Sequence, residues 1–240
     1  MTLHDRDHDI RHHFDDDLDA IRTGLVEMGS LVVENTTRAG DAIVENRLDL
    51  VDPVRQADEE INELYRVLET RTFEILALQQ PVATDLRFLV ATSRMLYEIE
   101  RSGDLAVNMV NCLARQEGFP DSPRLTGALS RLVTESCAVF AQGVEAIADM
   151  NPAIGLEIDA ADDVVDDLTG EYFTLVHDES DTLGLDAAVQ LNRIGRFLER
   201  IADHGVNIAQ NVTFIVTAHF PDEDNPTLLD EASDEEVADG

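Results

Sequence analysis

From Leu18 the apolar positions Ile21, Leu25, Met28, Val32, Ala39 and Ile43 recur mostly in steps of three, four or seven, which lays one stripe along an α-helix. The break at Val51-Asp52-Pro53 places proline at a helical start. Val54, Ala57, Ile61, Leu64 and Leu68 then carry a second stripe towards Leu78, and Gln79-Gln80-Pro81 ends it. Asp85 is the expected N-cap of a third helix through Phe88, Leu89, Met95, Ile99 and Met109, which the cluster Gly118-Phe119-Pro120-Asp121-Ser122-Pro123 halts. The order repeats in the second half, with helical patterns near 124–150 and 156–177, a loop at 178–184 and a long last helix to about His219. The pattern predicts six helices and no strand.

The two sets of three helices behave as a duplication. At an offset of 104, Leu25 meets Leu129, Ala42-Ile43 meets Ala146-Ile147, Ala57-Asp58 meets Ala161-Asp162 and Leu64 meets Leu168. At an offset of 99, Arg94 meets Arg193, and Glu100-Arg-Ser-Gly-Asp-Leu-Ala-Val-Asn108 meets Glu199-Arg-Ile-Ala-Asp-His-Gly-Val-Asn207. The difference between the offsets falls in the loop before each third helix. The predicted fold class is therefore all-α, with two tandem pseudo-symmetric three-helix bundles at 1–117 and 124–220, joined by a linker at 118–123. The tail at 221–240 carries nine acidic residues and no basic ones, and is expected to be disordered.

Charge changes the picture next. Seventeen basic residues, all of them Arg, stand against 50 acidic ones, for a net charge of −33. Such a balance argues against nucleic acid or an anionic membrane as the main partner. It reads as halophilic adaptation, because near molar salt the screening length falls to roughly 3 Å and self-repulsion largely disappears. No apolar run approaches the ~18 residues of a membrane-spanning helix, and Met1 to Asp9 lacks the apolar stretch of a secretory signal, so a cytoplasmic chain is expected. Cys112 and Cys137 stand apart on apolar-patterned segments and read as small buried thiols. Phe14, Phe88, Tyr97 and Phe197 follow the apolar stripes and read as core.

Within this acidic background one arrangement repeats. Residues four apart on a helix project from one face, so Glu100 and Asp104 stand together, as do Glu199 and Asp203. On the preceding helix of the second half, Asp162 and Asp166 share that spacing; the first half offers Asp58 and Asn62, an amide in place of one acid. If the facing helices are antiparallel, each bundle presents a cluster of oxygen ligands, and converging carboxylates cannot all stay ionised without a cation among them. Oxygen ligation suits Mg, Mn, Ca or ferric iron (Fe) more than zinc (Zn). The bland alternative is a solvated acidic face, since a lone acid pair at this spacing recurs by chance in so acidic a chain. Arg101 and Arg200, three residues before Asp104 and Asp203, would then form surface ion pairs. The small residues Gly103 and Ala106, matched by Ala202 and Gly205, favour a face on which another backbone approaches closely.

The unit Glu-Arg-x-Gly/Ala-Asp-x-x-x-Asn on each third helix, preceded in the first half by Gln80-Pro81-x-x-x-Asp85-Leu86-Arg87, resembles the PhoU family of phosphate transport system regulatory proteins over about residues 10–219. The resemblance implies paired three-helix bundles whose Glu/Asp-x-x-x-Asp motifs hold metal ions, in some members as multinuclear clusters. It selects Glu100, Asp104, Asp162, Asp166, Glu199 and Asp203 as ligands, together with Asp58; Asn62 departs from the acidic pattern. It implies a cytoplasmic, often homodimeric regulator that restrains phosphate uptake through the high-affinity phosphate ABC transporter, docking on its ATPase subunit, and in bacteria couples it to a sensor kinase. No catalytic group is duplicated beside the acids, and no enzyme activity is expected.

Two other classes compete. A ferritin-like di-metal enzyme would carry Glu-x-x-His on two helices, and no Glu here has a His three residues later. A metal-free helical adaptor would merely solvate its acidic faces. His4, His8, His12 and His13 share rough helical spacing but read as a frayed polar N-terminus, and His204, whose first-half counterpart is Leu105, reads as structural or surface.

Overall fold

The computed structural model describes residues 3–221, with side chains from Phe14 onward. The six expected helices are present as α1 (Leu3–Val44), α2 (Val51–Gln79), α3 (Ala83–Gln116), α4 (Pro123–Asp149), α6 (Asp159–Asp178) and α8 (Leu185–Thr217). Two single-turn helices, α5 (Ile154–Glu157) and α7 (Ser180–Leu183), and a 3-10 turn at Leu48–Leu50 occupy the connections; among the described residues there is no strand. Helix α1 begins at Leu3, well before the Leu18 at which its apolar stripe starts and in the stretch expected to fray. The four N-terminal histidine side chains and residues 222–240 of the acidic tail lie outside the described residues.

Local sequence explains the ends. Ser122 caps α4 by accepting the Leu125 N–H at 3.3 Å, and Pro123 fills the first helical position, where a missing N–H costs nothing. Helix α2 stops at Gln80 in the left-handed region. The next helix starts at Ala83, so Asp85 falls in its first turn, beside the helix dipole, and is not the cap. The linker is clamped: Asn46 donates to the Phe119 carbonyl and accepts the Phe119 N–H, both at 2.7 Å.

Side-chain pairings fix the packing. Gly24 meets Leu68 and Asn35 donates to the Val54 carbonyl, so α1 and α2 are antiparallel; Arg55 to Asn111 and Asp58 beside Gly103 make α2 and α3 antiparallel. In the second half, Ser122 to Glu179 and Arg131 to Glu171 align α4 with α6, and Asp162 opposite Asp203 with Tyr172 opposite Gly195 aligns α6 with α8. Between halves, equivalent helices meet antiparallel: α1 lies on α4 (Gly29 on Val144, Gly40 on Val133), and α3 lies on α8 (Arg87 to the Ile215 carbonyl, Ser102 to His204). This is the arrangement a duplicated unit adopts around a pseudo-twofold axis. The halves share one continuous core, running from Leu25 and Met28 through Ile99 and Met109 to Phe140, Ile194 and Leu198. Cys112 and Cys137 are free thiols inside it, as expected.

Phe14 and Phe88 are buried and Phe197 packs at the core edge, but Tyr97 is 51% exposed. Its ring lies under the Arg101 guanidinium, 5.4 Å away, and its hydroxyl accepts from Arg101 Nε at 3.3 Å. A cation–π partner on the same helix holds the aromatic at the surface.

Candidate functional site

The carboxylates selected from the sequence fall into two groups, one in each half. In the first, Asp58 on α2 faces Glu100 and Asp104 on α3; in the second, Asp162 and Asp166 on α6 face Glu199 and Asp203 on α8. The antiparallel helix pairs bring this about, since each motif crosses its partner at matching height.

Asp58 is the most enclosed, at 9% exposure. Asn62 Nδ2 donates to its Oδ2 at 2.9 Å. Burial, reinforced by the Asp104 charge, pushes the Asp58 carboxyl up to about 6. Gly103 makes its seat: a Cβ there would stand 2.6 Å from Asp58 Oδ1, so a larger residue would displace the carboxylate. Burial first, then Asp104, raises Glu100 as well. In the second half burial, then Asp203 and Asp166, pushes Asp162 up to about 6. Asp203 is raised by burial, then by Glu199 and Asp166, against the lowering effect of Arg200 and Arg196.

The donor set is oxygen-rich, partly desolvated and self-repelling, which is the chemistry that accepts a hard cation. As the side chains stand, no three carboxyl, imidazole or thiol groups among the described residues are close enough together to hold an ion. The acids are assembled on facing helices. Arginines occupy part of the space. Arg101 pairs with Asp104 at 3.0 Å, as expected from the spacing. In the second half Arg196, and not Arg200, forms the i,i+3 pair, with Glu199 as its partner at 2.6 Å to Oε1; Arg196 also stacks over the Phe173 ring, which draws it to that side. Asn207 bonds to Glu98, whereas Asn108 turns outward to line a separate cavity.

Sequence reasoning missed the polar cluster between the halves. His204 is 8% exposed, not at the surface. Ser102 Oγ lies 2.9 Å from the Glu98 carbonyl and 2.8 Å from His204 Nδ1. Nε2 faces Glu98 Oε2 at 3.6 Å. Burial, with the Arg200 and Arg101 charges, lowers His204 to about 4, so it is neutral at pH 7. A clue was available: Ser102 lies two residues from Glu100 and Asp104, and His204 one residue after Asp203, so both side chains turn away from the acidic face.

A pH dependence follows. The unfolded chain protonates His204 near 6.5 but the folded chain resists until about 4, so the stability from its neutral burial is lost as pH falls through that window. Between pH 7 and pH 5 the chain should lose about 2 kcal/mol relative to His204→Gln, which cannot take the proton. Urea unfolding of both proteins in molar KCl at the two pH values measures the difference.

The PhoU domain family model matches residues 25–113 and 129–212, once in each half. A phosphate-specific transport system accessory protein PhoU homolog from Synechocystis is 31% identical over 208 residues, covering 86% of this chain and 92% of that protein. A second, PhoU homolog 2 of Mycobacterium tuberculosis, is 31% identical over 215 residues, covering 88% of this chain and all (100%) of the relative. The crystal structure of PhoU from Pseudomonas aeruginosa superposes with a TM-score of 0.79 at 27% identity, covering 86% of this chain and 100% of that one. The Streptococcus pneumoniae phosphate transport system regulatory protein PhoU shares the fold with a TM-score of 0.78 at 21% identity, over 87% of this chain and 99% of its own.

Proposed function

The chain belongs to the PhoU family, and from that membership we propose that it is an accessory regulator of phosphate transport that restrains uptake through the phosphate ABC transporter. The observation that carries this reading is the full-length likeness to relatives named as phosphate-specific transport system accessory proteins, with the family domain repeated in both halves. No helix among the described residues is long and apolar enough to cross a membrane. The six long helices form a platform that would dock on the cytoplasmic face of the transporter, on its ATPase subunit, as a homodimer. A phosphate sensor kinase is the second partner to test for.

In this reading Asp58, Glu100 and Asp104 hold one hard cation and Asp162, Asp166, Glu199 and Asp203 hold another. A bound cation neutralises acids that otherwise repel across α2–α3 and α6–α8, and so stiffens both helix pairs. The net charge of −33 suits a cell interior of molar salt. The rival reading, a metal-free helical adaptor, draws on the Arg101–Asp104 and Arg196–Glu199 pairs, which already neutralise two of the ligands.

Pull-down from native cells in molar salt, followed by mass spectrometry, tests the regulatory assignment. Co-purification of a phosphate-transporter component, above all its ATPase, is the expected result. Recovery of only unrelated proteins would count against it.

A further inference from the structure

We propose that a cleft between α2, α3 and α8, lined by Arg55, Arg115 and Arg193, binds inorganic phosphate. The cavity has a volume of about 390 Å³, and Asn108 and Asn111 add amide donors to it. No carboxylate lines it. In a chain with 17 arginines against 50 acids, three arginines around one cavity without an acid is a marked local inversion of charge.

Several arginines of this protein are paired with an acid within a turn, as in Arg22 with Asp19, Arg38 with Glu34 and Arg66 with Glu63. At the cleft, Arg115 and Arg193 have no such acid among the described residues, and Arg55 is shared between an acid and an amide. Arg55 is oriented by Asn111, whose Oδ1 accepts from its Nε at 3.0 Å and its Nη2 at 2.5 Å, leaving Asn111 Nδ2 as a further donor. Its Nη1 reaches Asp52 at 3.1 Å, an acid that does not line the cavity and whose side chain is 91% exposed. Arg193 is positioned without an acid, by Gln190 at 3.1 Å and by the Phe197 ring at 5.6 Å. Arg115 forms no ion pair among the described residues. Both Arg115 and Arg193 act on the Cys112 thiol in the cavity wall, which places their charges together.

The duplication supplies an internal comparison. A second cavity of about 390 Å³ lies at the related position, where Arg94 and Asn207 stand for Arg193 and Asn108. There Glu98 joins the lining and Phe220 covers Arg94, its ring 5.5 Å from the guanidinium. The counterpart of Arg115 is Phe214, on which Phe220 stacks at 4.5 Å. One copy of the frame is an arginine-lined cleft without an acid; the other, of equal volume, has Glu98 and the rings of Tyr97 and Phe220 in its lining.

A tetrahedral oxyanion is the ligand that such a cleft fits. Guanidinium forks bind phosphate oxygens in pairs of parallel hydrogen bonds, and amide N–H groups take the remaining oxygens. In molar salt, where attraction is screened beyond roughly 3 Å, only direct contacts of this kind discriminate phosphate from chloride. The inference stands on the cavity and does not depend on which transporter component the protein meets.

Isothermal titration calorimetry of the full chain in molar KCl, with chelator present to remove metal-bound phosphate, tests it with inorganic phosphate and with ATP. Saturable binding of inorganic phosphate is expected, weakened at least about tenfold in R115Q and in the double variant R115Q/R193Q, and unchanged in R94Q. Arg115 is exposed and outside the core, so R115Q alone keeps the test valid if the double variant unfolds. Absence of saturable phosphate binding, equal binding in R115Q, or saturation by ATP alone would overturn the proposal.

Discussion

Gly205→Val destabilises the protein by about 3 kcal/mol or more in molar KCl, and Gly205→Ala by about 2 kcal/mol, although alanine is the better helix former by up to ~1 kcal/mol. The reason is a crossing of backbones. A Cβ at Gly205 would stand 2.6 Å from Phe140 Cα and 2.8 Å from the Val139 carbonyl oxygen, both main-chain atoms of α4 that no rotamer change can move. Gly143 sits on the other side of the same contact, against the Gly205 carbonyl. The crossing lies two residues from Asp203, so opening it also shifts the α8 face that carries the second carboxylate group. Gly127 and Gly170 are the controls, because nothing lies within 4 Å of a Cβ at either. Gly127→Ala and Gly170→Ala should stabilise by about 0.5–1 kcal/mol through helix propensity. Denaturant midpoints for the four variants separate the two classes; destabilisation in all four, or in none, would contradict the packing described.

Asp58→Asn is expected to change sign with metal. Without a cation, the raised Asp58 carboxyl means that the folded state holds its proton between about 4 and about 6 while the unfolded state does not. Stability therefore declines as pH rises through that window, and at pH 7 the whole cost of an ionised, half-desolvated Asp58 is present, up to about 3 kcal/mol. An asparagine carries no such cost and can still accept the Asn62 hydrogen bond, so in chelator the variant melts higher than the parent. With a cation at about 1,000 times its dissociation constant the parent gains about 4.1 kcal/mol that the variant largely forgoes, and the order reverses. Thermal melts of both proteins with chelator and with excess Mn or Mg read this directly. A variant less stable than the parent in chelator would remove the electrostatic argument for the first group of acids.

Much of this architecture is legible in the chain. The apolar stripes from Ile21 to Ile43 and from Phe88 to Met109 marked their helices because burial on one face dictates a 3.6-residue period. The two near-equal offsets foretold equivalent helices, and their antiparallel contacts between halves are what duplication around an axis produces. The short helices at Ile154–Glu157 and Ser180–Leu183 were not visible, since a single turn has no period of its own.

The acids selected from the sequence face one another across helices, because spacing of four fixes a common face. Their side-chain directions were not legible. Arg196 was passed over in favour of Arg200 because sequence spacing does not reveal that Phe173 on α6 draws the guanidinium aside. Of the two roles open to His204, structural or surface, the fold takes the structural one: its neighbour Asp203 lies on the acidic face, and one residue further along a helix turns the side chain by roughly 100° towards α3. The arginine cleft escaped notice because its members come from three helices that only the folded chain brings together.

If the function proposed above holds, the carboxylates of facing helices share cations in each half. Anomalous diffraction from crystals grown in molar salt with Mn addresses it most directly. The account predicts one peak between α6 and α8 within about 2.5 Å of Asp162 and Asp203 oxygens, and another at Asp58, Glu100 and Asp104. Ordered carboxylates paired only with Arg101, Arg196 and water, with no anomalous peak at either place, would contradict it.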